Sequence, residues 1–594
     1  MSTSHYINNF NLIGSLWTYV SKRRKWQFVI CFLLMVIAGL LEVVSLSAVI
    51  PFIAILTNPE EILEIEVIDY FANYYGILEP QALVFPITAI FVLLAVISGI
   101  FRIFVLYVTT KISYLTGHDL SSDVYWKTLH QPYTAHTERS SSEILSAITI
   151  KVAGVVATFM TFLTLANSVI LSGMILITLF VINPIISSIV IISFSVFYLM
   201  SSFLSSNKLI TNSLVIAQNQ DKVVKNLQEG LGGIRDVLLD NSQDYFTQDF
   251  RTHDKVLKNA QSINYFLSQT PKFIIETIAI CLIAILAYYF SSDSSGVISF
   301  LPTMAAMAVA AQRLLPAAQQ GYNAYTSIVG SHSSLLDVLE LLKQDVLIPQ
   351  KADNQSAFEF KESIEFKNIS YNYPSSDHKV LDGINFKILK GEIIGIIGET
   401  GSGKSTLMDC IMGLLYPTSG EILVDGKKLD KNNLQSWMKN IAHVSQTVFL
   451  TDASYKENIA FGEKKDNIDI RRVEEAANFA QIHDFISAQG LGYNTEVGEL
   501  GKKISGGQKQ RIGIARALYK SCSILVLDES TSALDNLTEE KILKVIEGLD
   551  QDRTIFMIAH RLTTLKCANR IFELKNGRIV KELSFQELMS RDQR

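Results

Sequence analysis

Residues 392–406 read EIIGIIGETGSGKST. An apolar run of strand character turns through glycines into a lysine and two hydroxyls. The spacing is GxxxxGK[ST], which builds a phosphate cradle between a strand and a helix. Gly398, Gly401 and Gly403 let the backbone N–H groups of the loop, carried also by Glu399, Thr400 and Ser402, turn toward phosphate oxygens. The helix expected from Lys404 adds the positive end of its dipole. Lys404 reaches the β- and γ-phosphates, and Ser405, followed by Thr406, offers a hydroxyl to Mg²⁺. A second stretch, SILVLDES at 523–530, ends an apolar strand on Asp528, placed to hold Mg²⁺ through water. Glu529 follows directly, where a carboxylate can polarise a water for in-line attack on the γ-phosphate. The chemistry expected of these two stretches is ATP hydrolysis.

The elements that must position them fall in two halves. From about residue 355, short β-rich runs alternate with helical stretches, the pattern of an α/β domain, expected over 357–594. Before residue 340 the chain is written for lipid. Six apolar stretches, at about 26–57, 83–110, 154–181, 184–205, 272–291 and 296–325, each approach the ~20 residues that a helix needs to cross the hydrocarbon core. A polar segment with a proline, 341–356, reads as the linker. The fold expected is a membrane α-helical domain (1–340) of six transmembrane helices with long cytosolic extensions, followed by an α/β P-loop NTPase domain.

Composition agrees. The chain has 594 residues and is 48% hydrophobic, with a mean hydropathy of +0.26, too apolar for an ordinary soluble protein. A net charge of −5 gives no case for nucleic acid as a partner. The cysteines, Cys31, Cys281, Cys410, Cys522 and Cys567, are scattered, without metal spacing or a disulfide framework. The first apolar run is expected to remain as a span, since it is long and follows the basic cluster Lys22–Lys25. Lysine and arginine place both ends and the two long loops, about 111–153 and 206–271, in the cytosol. Each loop reads as helical with a short break, at 130–134 and 239–244. The one sizeable external segment, 60–78, reads either as an interfacial helix carrying Leu63, Val67, Tyr70, Phe71, Tyr74 and Leu78 on one stripe or as a plain acidic loop.

Between the two nucleotide stretches lies KKISGGQKQR, 502–511. Here the second half resembles the nucleotide-binding domain of ABC transporters. Ser505, Gly506, Gly507 and Gln508 look like the signature loop, with Ile504 where leucine is more usual. The resemblance implies further roles. Tyr373 resembles the aromatic that stacks on adenine, with Tyr371 as the alternative. Gln446 resembles the glutamine that contacts Mg²⁺ and the attacking water. Ser532–Asp535 looks like the D-loop, His560 like the switch histidine at the γ-phosphate, and Thr495–Glu499 like a loop that touches the membrane domain. With the six spans, the chain resembles a type IV exporter half-transporter. In that family ATP is buried between the P-loop of one domain and the signature serine of another. Two chains are then needed. Every motif is kept in this one, which leans toward a homodimer over a heterodimer. The breaks near 132–142 and 239–250 resemble coupling helices.

Substrate must be read from the membrane half. Arg313 comes about 17 residues into an inward-running span, roughly 26 Å of descent. Arg102 lies near the inner end of span two, and Lys272 opens span five. Gln312, Arg313, Pro316, Gln319 and Gln320 share one helical face. Two readings stand: basic residues snorkelling to the cytosolic interface, or a cavity that receives an anionic headgroup, since arginine pairs bidentately with phosphate oxygens. The glutamines favour the cavity for Arg313. Residues 38–56, with Glu42 and Pro51, together with 60–78, 226–239 and 312–317, resemble the bacterial lipid-linked oligosaccharide flippases. That resemblance implies a polyprenyl-pyrophosphate glycan of protein glycosylation as substrate, and the inner membrane as location. The alternatives are export of a drug, another lipid or a peptide, or a gated channel on the same fold. No N-terminal processing peptidase is expected, because about 25 residues precede span one and none is cysteine.

Overall fold

The computed structural model describes residues 9–57, 80–182, 184–291, 297–344, 346, 359–374, 376, 378–530, 534–548, 553–559 and 561–592. The external segment 60–78, Ser532, Ala533, His560 and most of the expected linker lie outside the described residues. The chain forms two compact units, Met1–Gln131 with Ala135–Val346, and Pro132–Thr134 with Leu347–Arg594.

The first unit is helical: α1 (Asn9–Tyr19), α2 (Lys22–Ser47), α3 (Val49–Thr57), α4 (Val84–Leu129), α5 (Tyr133–Glu138), α6 (Ser141–Ser146), a π-turn (Ala147–Lys151), α7 (Val152–Ile182), α8 (Pro184–Gly232), α9 (Ile234–Leu239), α10 (Gln243–Ser291), α11 (Val297–Gly330) and α12 (His332–Lys343). Ser21 caps α2, its hydroxyl accepting the Arg24 N–H at 3.4 Å. The first expected span is not one helix. It breaks at Ala48, because Pro51 lacks the N–H that would bond the carbonyl of residue 47. Among the described residues, four helical stretches are long and apolar enough to cross a membrane, 22–56, 81–129, 141–181 and 187–232. The fifth and sixth expected spans lie on α10 and α11. At 46 residues α4 is about 70 Å long, and α8 and α10 have 49 residues each. They therefore outrun a hydrocarbon core of about 30 Å and supply the expected extensions. The breaks expected in the loops fall where α4 and α9 end. Helix α12 continues to Lys343, three residues into the expected linker.

The helices pack through periodic apolar faces. Phe28, Cys31 and Met35 of α2 meet Val105 and Ile112 of α4 and Val155, Phe159 and Leu163 of α7 in one core, which α12 joins through Leu335, Val338 and Leu342. Small residues let backbones approach. A Cβ at Gly39 would stand 2.3 Å from the Met174 sulfur, and one at Gly117 2.1 Å from the Val156 side chain. Outward faces stay apolar, as at Phe85, Ile100 and Ile103 of α4, which suits lipid.

The second unit has two sheets. An antiparallel sheet runs β2 (Lys379–Leu389), β1 (Ser363–Asn372), β4 (Ser419–Val424), β5 (Lys427–Lys428). A six-stranded sheet runs β10 (Arg578–Leu583), β9 (Arg570–Lys575), β3 (Ile393–Gly398), β8 (Thr554–Ile558), β7 (Ile524–Asp528), β6 (Ile441–Val444). All its neighbours are parallel except β10 on β9. Residues 524–527 and all of β8 are buried, as strands covered on both faces must be. Helix α13 (Lys404–Met412) follows β3. Helix α14 (Leu434–Lys439) buries Trp437, whose indole N–H donates to the Ile411 carbonyl at 2.9 Å. Helices α15 (Tyr455–Ile459), α16 (Ile470–Phe479) and α17 (His483–Ser487) pack with α18 (Gly506–Tyr519) in a second core, before α19 (Asn536–Glu547) and α20 (Phe585–Asp592).

Candidate functional site

The parallel sheet brings the two phosphate-chemistry stretches together. β3 and β7 flank β8 and point the same way, so the loop after Gly398 and the pair Asp528–Glu529 leave the same edge. The loop turns because its glycines accept what other residues cannot. Gly403 has φ 102° and a Cβ there would sit 2.8 Å from the Val380 carbonyl; at Gly398 the Leu574 carbonyl would be 2.3 Å away. Gly403 caps α13 without a side chain, so the first-turn N–H groups face the loop's concavity. The Lys404 ammonium arches back and donates to the carbonyls of Gly398 at 2.9 Å and Glu399 at 3.0 Å.

At the end of β7, Glu529 takes φ +47°, and its N–H donates to the Ile558 carbonyl at 3.1 Å. That strained turn aims the carboxylate at Gln446, whose amide N–H donates to it at 2.6 Å. Asp528 ends the strand half-buried. Asp409, on α13, is a member of this site that the sequence reading missed. Burial and the nearby charge of Asp528 push its carboxyl up to about 6. Its only trace in the sequence is an acid interrupting the apolar face of the helix after the P-loop.

Tyr371 is 3% exposed within the core, whereas Tyr373 is half-buried, meets it edge-on at 5.1 Å and has its hydroxyl 3.4 Å from that of Thr406. Tyr373 is the ring with a face that a base could reach. Ser505 opens α18 with a reciprocal capping box. Its hydroxyl accepts the Gln508 N–H at 3.3 Å, and the Gln508 amide oxygen accepts the Ser505 N–H at 2.8 Å. Gly506 and Gly507 form the first turn. This helix end belongs to the α15–α18 core, while the P-loop packs on β2 and on the β9–β10 turn, where the Gly577 N–H donates to the Ser402 carbonyl at 3.1 Å. Asp535 caps α19, accepting the Thr538 N–H at 3.0 Å, and these hydrogen bonds hold its carboxyl below the usual range. Residues 495–497 are pinned to 453–455 by backbone hydrogen bonds.

In the helical unit the residues singled out divide differently from the expected stripe. Arg313 donates to the carboxylate of Glu42, which is 1% exposed and also accepts the Ser98 hydroxyl at 2.7 Å. Arg102 stands 3.7 Å from the carboxylate oxygen that Arg313 holds, with its side chain 56% exposed. Arg102, not Arg313, lines a cavity of about 370 Å³ together with Thr109, Thr164, Asn167 and Gln320. Gln319 turns away, buried, and donates to the Ser268 carbonyl at 3.0 Å and to Asn323 at 2.7 Å. The face expected as one polar stripe is thus split between an ion pair, a helix contact and a cavity wall. A buried guanidinium takes the nearest carboxylate rather than stay unpaired. Lys272 lies over the Phe273 ring and 4.0 Å from Glu276 on its own helix, the arrangement of a snorkelling residue.

The model of the family described as ABC transporter matches residues 381–532, and that of the ABC transporter transmembrane region matches residues 28–311. The chain is 33% identical to an ATP-dependent lipid A-core flippase of Burkholderia orbicola, over 61% of this chain and 60% of that one. It is 30% identical to the β-(1→2)glucan export ATP-binding/permease protein NdvA of Bartonella bacilliformis, over 68% of each. A putative multidrug export ATP-binding/permease protein, YgaD of Bacillus subtilis, is 36% identical over 48% of this chain and 49% of its own. Among solved structures, a bacterial Atm1-family ABC exporter with ATP bound shares the fold, with a TM-score of 0.79 and 22% identity over 96% of both chains.

Proposed function

Because the chain belongs to the ABC transporter family, a transmembrane region fused to an ABC domain, we propose that it is an ATP-hydrolysing exporter. Its cargo is a lipid-linked oligosaccharide, a polyprenyl-pyrophosphate glycan, carried from the cytosolic to the outer leaflet of the bacterial inner membrane. The hydrogen bond from Gln446 to Glu529, on the edge that also carries the P-loop, is the observation that most supports turnover. Lys404 exchanges the carbonyls of Gly398 and Glu399 for the β- and γ-phosphates. Glu529 accepts a proton from the attacking water, held in line by Gln446, and His560 closes over the γ-phosphate. Tyr373 stacks on adenine. Ser405, Gln446 and Asp528 present hydroxyl, amide and carboxylate oxygens, a hard donor set that suits Mg²⁺. The charge crowded between Asp528 and Asp409 supports a cation there. Bound Mg²⁺ supplies charge neutralisation at the phosphates.

Ser505 and Asp535 act on the nucleotide of a second copy, as membership of the ABC transporter family implies. The working unit in this reading is a homodimer that closes on two ATP molecules, which the full set of motifs in one chain supports. The cargo reading rests on the cavity faced by Arg102, whose guanidinium suits an anionic linkage. The relatives named for lipid A-core flipping and glucan export also support it.

The test is ATP-dependent flipping of a fluorescent polyprenyl-pyrophosphate oligosaccharide in proteoliposomes, with Glu529→Gln as the hydrolysis-deficient control. Flipping by the wild type alone is expected. ATPase activity without flipping would leave the engine and move the cargo to drugs or other lipids.

A further inference from the structure

Glu42 is an acid placed among membrane spans, where an ionised carboxylate must be paired. Its partners come from two other helices. Ser98 of α4 holds one oxygen at 2.7 Å. Arg313 of α11 and Arg102 of α4 share the other. The sharing is unequal. Arg313 is hydrogen-bonded and mostly buried, whereas Arg102, at 3.7 Å, is beyond hydrogen-bond length and leaves its donors open to the cavity. Two guanidinium charges against one carboxylate leave the cluster at net +1. The remaining polar groups on that cavity, Thr109, Thr164, Asn167 and Gln320, are neutral, so among the described residues no second acid lines it.

We propose that Glu42 is a built-in counter-anion. It holds the two arginines between transport events, is displaced from Arg102 by the incoming anionic headgroup, and reclaims that arginine when the headgroup leaves. In this role Glu42 sets specificity and release: it keeps the resting charge at one, so weakly charged or neutral lipids gain nothing, and it competes with bound cargo so that cargo can depart. The proposal rests on the reading that the cavity receives an anionic lipid headgroup.

The sign of one binding change separates this role from a purely structural tie. The probe is farnesyl pyrophosphate, with farnesol as the neutral control, titrated against the full-length protein in nanodiscs of neutral lipid. Wild type is expected to bind the pyrophosphate in preference to the alcohol, and Arg102→Gln to weaken that binding. Glu42→Gln removes the competitor and raises the cluster to +2, so its Kd is expected to fall about tenfold, while its flipping rate drops because release is slowed. Ser98→Ala strips the hydroxyl from one carboxylate oxygen, which strengthens Glu42 as a competitor without changing charge, and is expected to raise Kd. It also serves where Glu42→Gln fails to fold. A folded Glu42→Gln protein that binds the pyrophosphate equally or more weakly overturns the proposal, and so does an unchanged or lower Kd in Ser98→Ala if that is the only folded variant. Failure of wild type to prefer the pyrophosphate overturns the headgroup reading itself, and the proposal with it.

Discussion

Lys151→Met should loosen the helical unit. Lys151 ends the π-turn, and its side chain is 8% exposed. Its ammonium donates to Asp221 of α8 at 2.8 Å and stands 2.8 Å from Asp337 of α12. One cation thereby joins three helices. Removing a member of a buried ion pair costs about 3–5 kcal/mol, because the partner charge is left stranded. Both aspartates keep partial access to water, so about 3 kcal/mol is the expected cost. That corresponds to a fall in Tm of about 4 °C for a unit of this length, read by scanning fluorimetry of the full-length protein. Adding Asp337→Asn removes one stranded charge. The double variant should therefore lose less than the sum of the singles, with a coupling of about 1–2 kcal/mol. Burial pulls the ammonium's pKa down, but the hydrogen bonds to Asp221 and Asp337 outweigh it and hold it above the usual lysine range. A raised lysine contributes stability that is complete below its unfolded value and lost as pH rises through its folded value. The difference between wild type and Lys151→Met should thus persist through neutral pH and close only above about pH 10.4. A Tm loss under about 2 °C, or additive single effects, would refute the reasoning.

Three further outcomes are expected. Lys404→Met should abolish ATPase activity, measured by phosphate release, while leaving Tm within about 2 °C, since among the described residues the ammonium bonds only loop carbonyls. In nucleotide-free protein, Asp409 is raised to about 6, so the folded state holds its proton longer than the unfolded chain and stability falls as pH rises from about 4 to 6. Asp409→Asn should flatten that fall in a Tm series against pH and raise Tm above wild type at pH 7. Gly117→Ala pushes a methyl against the branched Val156 side chain and should cost about 1–3 kcal/mol in a thermal or denaturant scan, whereas Gly117→Ala with Val156→Ala should recover most of it.

The nucleotide chemistry was legible because its parts are contiguous. A strand that ends in Gly398–Ser405, and another that ends in Asp528–Glu529, carry their geometry in the local backbone, where glycine, a helix N-terminus and a strand end dictate which way groups point. The spans were legible because bilayer thickness fixes helix length; the break at Ala48 was missed, although Pro51 encoded it. Other features had no local signature. Residues 42, 98, 102 and 313 meet only because three helices pack with particular faces together, and Lys151, Asp221 and Asp337 meet for the same reason. Helical periodicity told which residues share a face of α11, but not that Arg313 would find a carboxylate from α2 and Gln319 a carbonyl from α10. Sequence by itself determined the solvent of each half and the reacting groups of the second. Tertiary packing alone decided which charges are spent on one another and which remain open to a ligand, because pairing across helices depends on rotation and depth that no single helix encodes.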